Sequence, residues 1–130
     1  MSRSAVPDRP MAPAVFHILI ALADQPRHGY GIMLDVAERT GGKVKMSPGT
    51  LYGSIKQVLE DGLIEEIDSR LAAGDDARRR YYRLTRAGRD AARREMARMA
   101  ALLSQARVTS LRPGSPPRVF GAAGWRPGEG

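Results

Sequence analysis

The 130-residue chain has no cysteine, two histidines, one tryptophan and no long apolar run. Each of these shortages excludes something. Without cysteine there are no disulfides, no thiolate metal sites and no thiol catalysis. His17 sits inside an apolar stretch and His28 in a turn, and no HExxH-like spacing accompanies either, so no metal site is expected. Glu65, Glu66 and Asp68 alternate along an extended segment, which forces no two carboxylates together for acid–base chemistry. HGYG at 28–31 lacks both the GxGxxG spacing and the preceding strand of a dinucleotide fingerprint. The chain is therefore not expected to be an enzyme or to carry a cofactor. Its longest apolar stretch, Ala14 to Ala23, is interrupted by His17, whereas a membrane span needs roughly 20 apolar residues. The opening MSRSAVPDRP has no apolar segment behind its positive charge, so no signal peptide is read and a cytoplasmic location is expected.

Acidic residues are also in deficit, 14 against 21 basic ones, for a formal charge of +7 and a pI near 10.5. Apart from Lys43, Lys45 and Lys56, every basic residue is arginine. Guanidinium forks match phosphates and guanine edges, whereas helices that lie on membranes are usually lysine-rich with aromatic anchors. Nucleic acid is the favoured partner class. A length of 130 residues with 42% hydrophobic content suits one modest core.

The apolar pattern orders the chain. Residues 1–11 form a flexible arm by their Pro and Arg content. Pro13 suits a first helical turn, and Val15, Ile18, Leu19 and Leu22 recur at helical spacing to about Asp24. A second helix follows RHG, with Ile32, Met33, Val36 and Ala37 on one side and Gly41 and Gly42 as its stop. KVKM at 43–46 alternates as a brief strand would. Ser47 and Pro48 then open a third helix with Leu51, Ile55, Val58 and Leu59 inward and Gly62 as its end. LIEEID and RRYYRLT read as a hairpin around a polar loop, with Tyr82 and Leu84 on one face and Arg79, Tyr81 and Arg83 on the other. Thr85 caps a last helix, 85–107, in which Ala92, Met96, Met99, Leu103 and Ala106 keep heptad spacing. The Pro/Gly-rich remainder, 108–130, has no period and is expected to be disordered.

This order makes a mainly α fold with a small β-hairpin, a winged helix-turn-helix over 12–84 followed by a long C-terminal dimerisation helix. The second and third helices are short and closely linked, as in a helix-turn-helix, and the hairpin after them is the wing. The outward face of the third helix is lean. Gly49, Thr50, Gly53, Ser54, Lys56 and Gln57 stand where an ordinary solvated helix carries long charged side chains. Small residues permit close approach to a groove, hydroxyls bond phosphates, and Gln57 can read an adenine edge. Ser47 and the N–H groups behind it offer a phosphate site, and Tyr52 is either a partly buried core aromatic or part of the DNA face. Nine arginines against Asp90 and Glu95 between Arg78 and Arg98 repel one another unless neutralised. Arg78, Arg79 and Arg80, at the wing, are assigned to DNA phosphates or the minor groove; Arg93, Arg94 and Arg98 are assigned to a solvated face.

The strings HGYGIM, SPGTLYGSIKQVLEDGLIEE and RRRYYRLTRAG, in this order and spacing, resemble the PadR-like transcriptional regulators over roughly residues 12 to 106. The resemblance implies a dimeric winged-helix repressor whose third helix enters the major groove and whose last helix builds the dimer. It places Gly49, Thr50, Leu51 and Tyr52 on the recognition-helix signature and Tyr81, Tyr82, Leu84 and Thr85 on the signature after the wing. The wing departs from the family pattern, because Gly74 is followed by Asp75 and Asp76 where an arginine-rich tip is common. The single C-terminal helix matches the shorter subgroup of the family.

The expected partners are double-stranded DNA and a second copy of the chain, with Ala92, Met96, Met99, Leu103 and Ala106 at the interface; the competing arrangement packs this stripe on the first helix of the same chain. A small-molecule effector stays open, since the last helix has no aromatic to stack on a flat ligand and Trp125 lies in the tail. The competing function is a winged-helix module for protein contacts.

Overall fold

The structure, a computed structural model, describes residues 9–68 and 80–114. Arm residues 1–8, loop residues 69–79 with Arg78 and Arg79, and tail residues 115–130 lie outside the described residues. The elements are α1 (Pro13–Ala21), β1 (Arg27–His28), α2 (Gly29–Arg39), α3 (Pro48–Glu60), β2 (Ile64–Ile67), β3 (Tyr81–Leu84) and α4 (Arg86–Arg107). Among the described residues no helix is long and apolar enough to cross a membrane.

Local chemistry sets the helix ends. Pro13 and Pro48 stand in the first turns of α1 and α3, and the Ser47 hydroxyl accepts the Thr50 N–H at 3.2 Å. Both α2 and α3 stop in the same way. Gly41 (φ 64°) and Gly62 (φ 75°) take the left-handed conformation just past the last turn. The next N–H then reaches back to a helix carbonyl, Gly42 to Ala37 at 2.7 Å and Leu63 to Val58 at 2.9 Å. α1 ends at Ala21 rather than Asp24, because Ala23 N–H closes a tighter turn on Ile20 O. Arginines satisfy the carbonyls left there: Arg27 Nε donates to Ala21 O at 2.7 Å and Arg89 to Ala23 O at 3.1 Å.

Ile18, Leu19 and Leu22 of the α1 segment, Ile32 and Val36 of α2, and Leu51, Ile55 and Val58 of α3 meet Ile64, Tyr82 and Leu84 of the sheet in one buried cluster. Each fully buried aliphatic side chain contributes about 1.5–3 kcal/mol relative to exposure. The sheet is three-stranded and antiparallel, in the order β1-β3-β2, with Ile64 opposite Leu84, Glu65 opposite Arg83 and Arg27 opposite Tyr82.

Two strand expectations change. Residues 43–46 form no strand: Val44 N–H bonds the Thr40 hydroxyl at 3.0 Å, and Met46 is buried while Lys43 and Lys45 are exposed. The alternation marked sidedness, but a strand also needs a ladder partner, and β1 and β2 already flank β3. β1 itself, read from sequence as a turn, supplies that third strand. Because β1 covers β3, Tyr81 is buried as well as Tyr82, with the Tyr81 ring edge-on to His28 at 5.2 Å. Tyr81 thus alternates with Tyr82 and stays outside the core cluster, yet it is covered where Arg83 on the same face is exposed.

The chain divides after Met96, within α4, rather than ahead of the helix. The first part of α4 belongs to the first unit through Gly88, Ala91 and Glu95, all buried. A side chain at Gly88 would collide with the Leu63 carbonyl, so the helix crosses there backbone to backbone. Thr85 fixes the approach: its hydroxyl donates to Gly62 O at 2.7 Å and accepts the Gly88 N–H at 3.0 Å. Met11, assigned to the arm, is part of the fold, since it packs on the core and its N–H donates to the buried Glu95 carboxylate at 3.3 Å. In the second unit α4 runs on to Arg107. The segment 108–114, placed in the disordered tail, begins as ordered turns in which the Thr109 N–H bonds Ala106 O at 3.1 Å.

Candidate nucleic-acid interface

The α2–turn–α3 pair presents one face of α3 outward. Leu51, Ile55 and Val58 anchor the helix in the core, which turns Gly49, Thr50, Tyr52, Gly53, Lys56 and Gln57 to the surface and leaves Ser54 half-buried. A methyl group at Gly49 or Gly53 would meet nothing within 4 Å. Glycine inside a helix is worse than alanine by about 1 kcal/mol, and no neighbour in the fold requires it at Gly53. The lean face therefore costs stability that the fold does not recover.

Ser47 and Thr50 share a hydroxyl contact of 3.2 Å at the start of α3, with Lys43 and Lys45 exposed on the preceding link. At the other end Gln57 Nε2 is held by the Asp61 carboxylate at 3.1 Å, an exposed contact. Of the three wing arginines only Arg80 lies among the described residues; it is strongly exposed and 3.9 Å from Glu66. Arg83 pairs with Glu65 at 2.8 Å directly across the strands. The acidic side chains of β2 thus offset part of the basic return strand. A third group, Asp35 between Arg27 (3.3 Å) and Arg39 (2.8 Å), braces α2 against β1.

An unexpected feature lies between α3 and the root of the hairpin. His28, Gly29, Tyr30, Tyr52, Arg80 and Tyr82 line a cleft of about 400 Å³. The Tyr52 ring lies over Gly29 so closely that a Cβ there would stand 2.5 Å from the Tyr52 hydroxyl. His28 caps α2 by accepting the Gly31 N–H on Nδ1 at 2.9 Å, which puts the proton of a neutral imidazole on Nε2. Its ring stacks near Tyr30 at 6.5 Å. Tyr82 is 4% exposed, and burial, then Glu66, raise its pKa above the ordinary tyrosine value, which further favours the protonated hydroxyl. Sequence reading placed Tyr52 and Arg80 at the DNA face but missed His28, Tyr30 and Tyr82 beside them. The signal was in HGYG, whose glycine admits the ring of a residue more than twenty positions later.

On the last helix Met96, Met99 and Leu103 are exposed, and so is Leu102, which the heptad stripe had not included. Ala92 instead packs on the core of its own unit, and Ala106 is half-buried. Among the described residues no group of three or more His, Asp or Glu side chains could hold a metal ion.

Comparison with known proteins gives a consistent result. The description of the Transcriptional regulator PadR-like family matches residues 18–94. A PadR family transcription regulator from Clostridium difficile superposes with a TM-score of 0.64 over 75% of this chain and 97% of that one, at 22% identity. A transcriptional regulator from Clostridium thermocellum gives 0.62 over 71% and 84%, also at 22% identity. These likenesses are of fold. An uncharacterized 37.1 kDa protein in transposon TN4556 of Streptomyces fradiae is 34% identical over 85 residues. The match takes in 65% of this chain but 22% of that protein, so the chain spans about a fifth of the relative's length.

Proposed function

The chain belongs to the PadR-like family of transcriptional regulators, and from that premise we propose that it is a sequence-specific double-stranded DNA-binding repressor acting as a homodimer in the cytoplasm. The observation that carries this reading is the outward face of α3, where Gly49 and Gly53 open onto empty space beside Thr50 and Lys56. The major groove admits a helix, a lean face lets its backbone approach closely, and hydroxyls and cations then meet phosphates. In this arrangement α3 lies in the major groove, the hairpin lies on the adjoining backbone or minor groove, and Arg78 and Arg79 extend the contact begun by Arg80.

Dimerisation through α4 is supported by the exposed run of Met96, Met99, Leu102 and Leu103, which water disfavours and a second copy would cover. Two copies of α3 would address half-sites about 10 base pairs or a multiple apart. A small effector seated between two such helices would change that spacing and so the affinity. Winged helices also serve protein contacts, and the decisive experiment separates the two uses. Bound fragments are selected from genomic DNA and the winner is titrated at several salt concentrations. Enrichment of a pseudo-palindrome with salt-dependent affinity is the expected outcome; enrichment of nothing moves the reading to a protein-contact module.

A further inference from the structure

The cleft at the root of the hairpin joins Tyr52 and Arg80, already placed at the DNA face, to Tyr82, which the groove reading has not used. Tyr82 is nearly buried and its hydroxyl has no hydrogen-bond partner among the described residues. The Tyr52 hydroxyl likewise has none, and it lies near enough to Tyr82 to influence it electrostatically. Arg80 completes the lining, held among the described residues by the loose contact with Glu66, an exposed pair that contributes little. Three donors thus line one cleft, with the Glu66 carboxylate beside Arg80 and within electrostatic reach of Tyr82.

In a duplex, one sugar–phosphate strand separates the major groove from the adjoining minor groove. A protein with α3 in one groove and its hairpin at the other must let that strand cross between them, and the cleft occupies this interval. Resting on the DNA-binding reading above, the geometry points to a phosphate clamp: Tyr52, Tyr82 and Arg80 grip one phosphodiester of the crossing strand, and Gly29 positions Tyr52 for it. Tyr52 then fixes register and carries no base preference, as expected of a single phenolic donor. Gly29 is a positioning residue, since any side chain there displaces the Tyr52 ring, which is half exposed and free to move.

The test uses the full chain with the selected operator and an unrelated duplex. Tyr52→Phe should weaken both complexes about five- to tenfold, leaving their ratio and the salt slope unchanged. Arg80→Gln should flatten the salt slope by about one unit on both. Gly29→Ala should reproduce the Tyr52→Phe loss at an unchanged unfolding midpoint, and Gly29→Ala with Tyr52→Phe should lose no more than either alone. Replacing operator phosphates one at a time by neutral methylphosphonates should reveal one position that weakens the wild type but not a variant carrying both Tyr52→Phe and Arg80→Gln. A changed operator-to-unrelated ratio for Tyr52→Phe would make Tyr52 a base reader and overturn the clamp, as would the absence of any such methylphosphonate position. Wild-type binding with sequence preference but indifferent to all these changes ends the clamp and leaves the DNA reading standing. Wild-type binding to no duplex ends both.

Discussion

The outward faces of α3 and α4 are both uncovered, and they differ in what is missing. On α3 the exposed positions are small and polar, with glycines where a helix would be more stable with alanine. On α4 they are Met96, Met99, Leu102 and Leu103, large and apolar. A face stripped of bulk suits a rigid polar groove, and a face rich in flexible apolar groups suits another protein surface. The two deficits match the two partners proposed above, DNA for α3 and a second copy for α4.

The strongest way to break this contrast is at α4. Met99→Glu combined with Leu103→Glu should yield a monomer by light scattering and weaken operator binding about a hundredfold, because two linked half-sites become one. A dimer that survives both charges would remove α4 from the interface. Next in size is Gly88→Ala, whose methyl group meets the Leu63 carbonyl. Chemical denaturation should show a loss of about 3 kcal/mol, whereas full stability would mean that the close crossing of α4 is not needed.

At Gly53 the same substitution has the opposite sign. Gly53→Ala should stabilise the fold by about 1 kcal/mol while lowering operator affinity about tenfold. Stability and binding gained together would show that nothing approaches this face. The smallest effect expected is for Gln57→Ala, a loss of discrimination at one base position of about 1 kcal/mol, near the low end because Gln57 must first leave Asp61. An equal loss on every sequence would make Gln57 a backbone contact.

Where the sequence was legible, the cause was local. Ser47 and Pro48 specify the start of α3 and Gly62 its end through bonds within a few residues, and the apolar spacing of Leu51, Ile55 and Val58 orients the helix. Where it was not, the cause lay far along the chain. Nothing near Arg27 and His28 announces a strand, because β1 exists only by pairing with Tyr81 and Tyr82. Glu95 looks like one more charge on a basic helix, but it is buried and bound to the backbone of Met11, 84 positions away. The cleft lies beyond local signals for the same reason, since Gly29, Tyr52 and Arg80 come from three separate segments of the chain.

Periodicity and capping act over one or two turns, and they suffice for the order of helices and hairpin, the lean face of α3 and the apolar stripe of α4. Long-range contacts settle which segment becomes a strand, how much of α4 the first unit covers, and that four rings and a guanidinium share one cleft. Those outcomes depend on ladder partners and on close approaches such as Leu63 to Gly88, which exist only once distant segments have met.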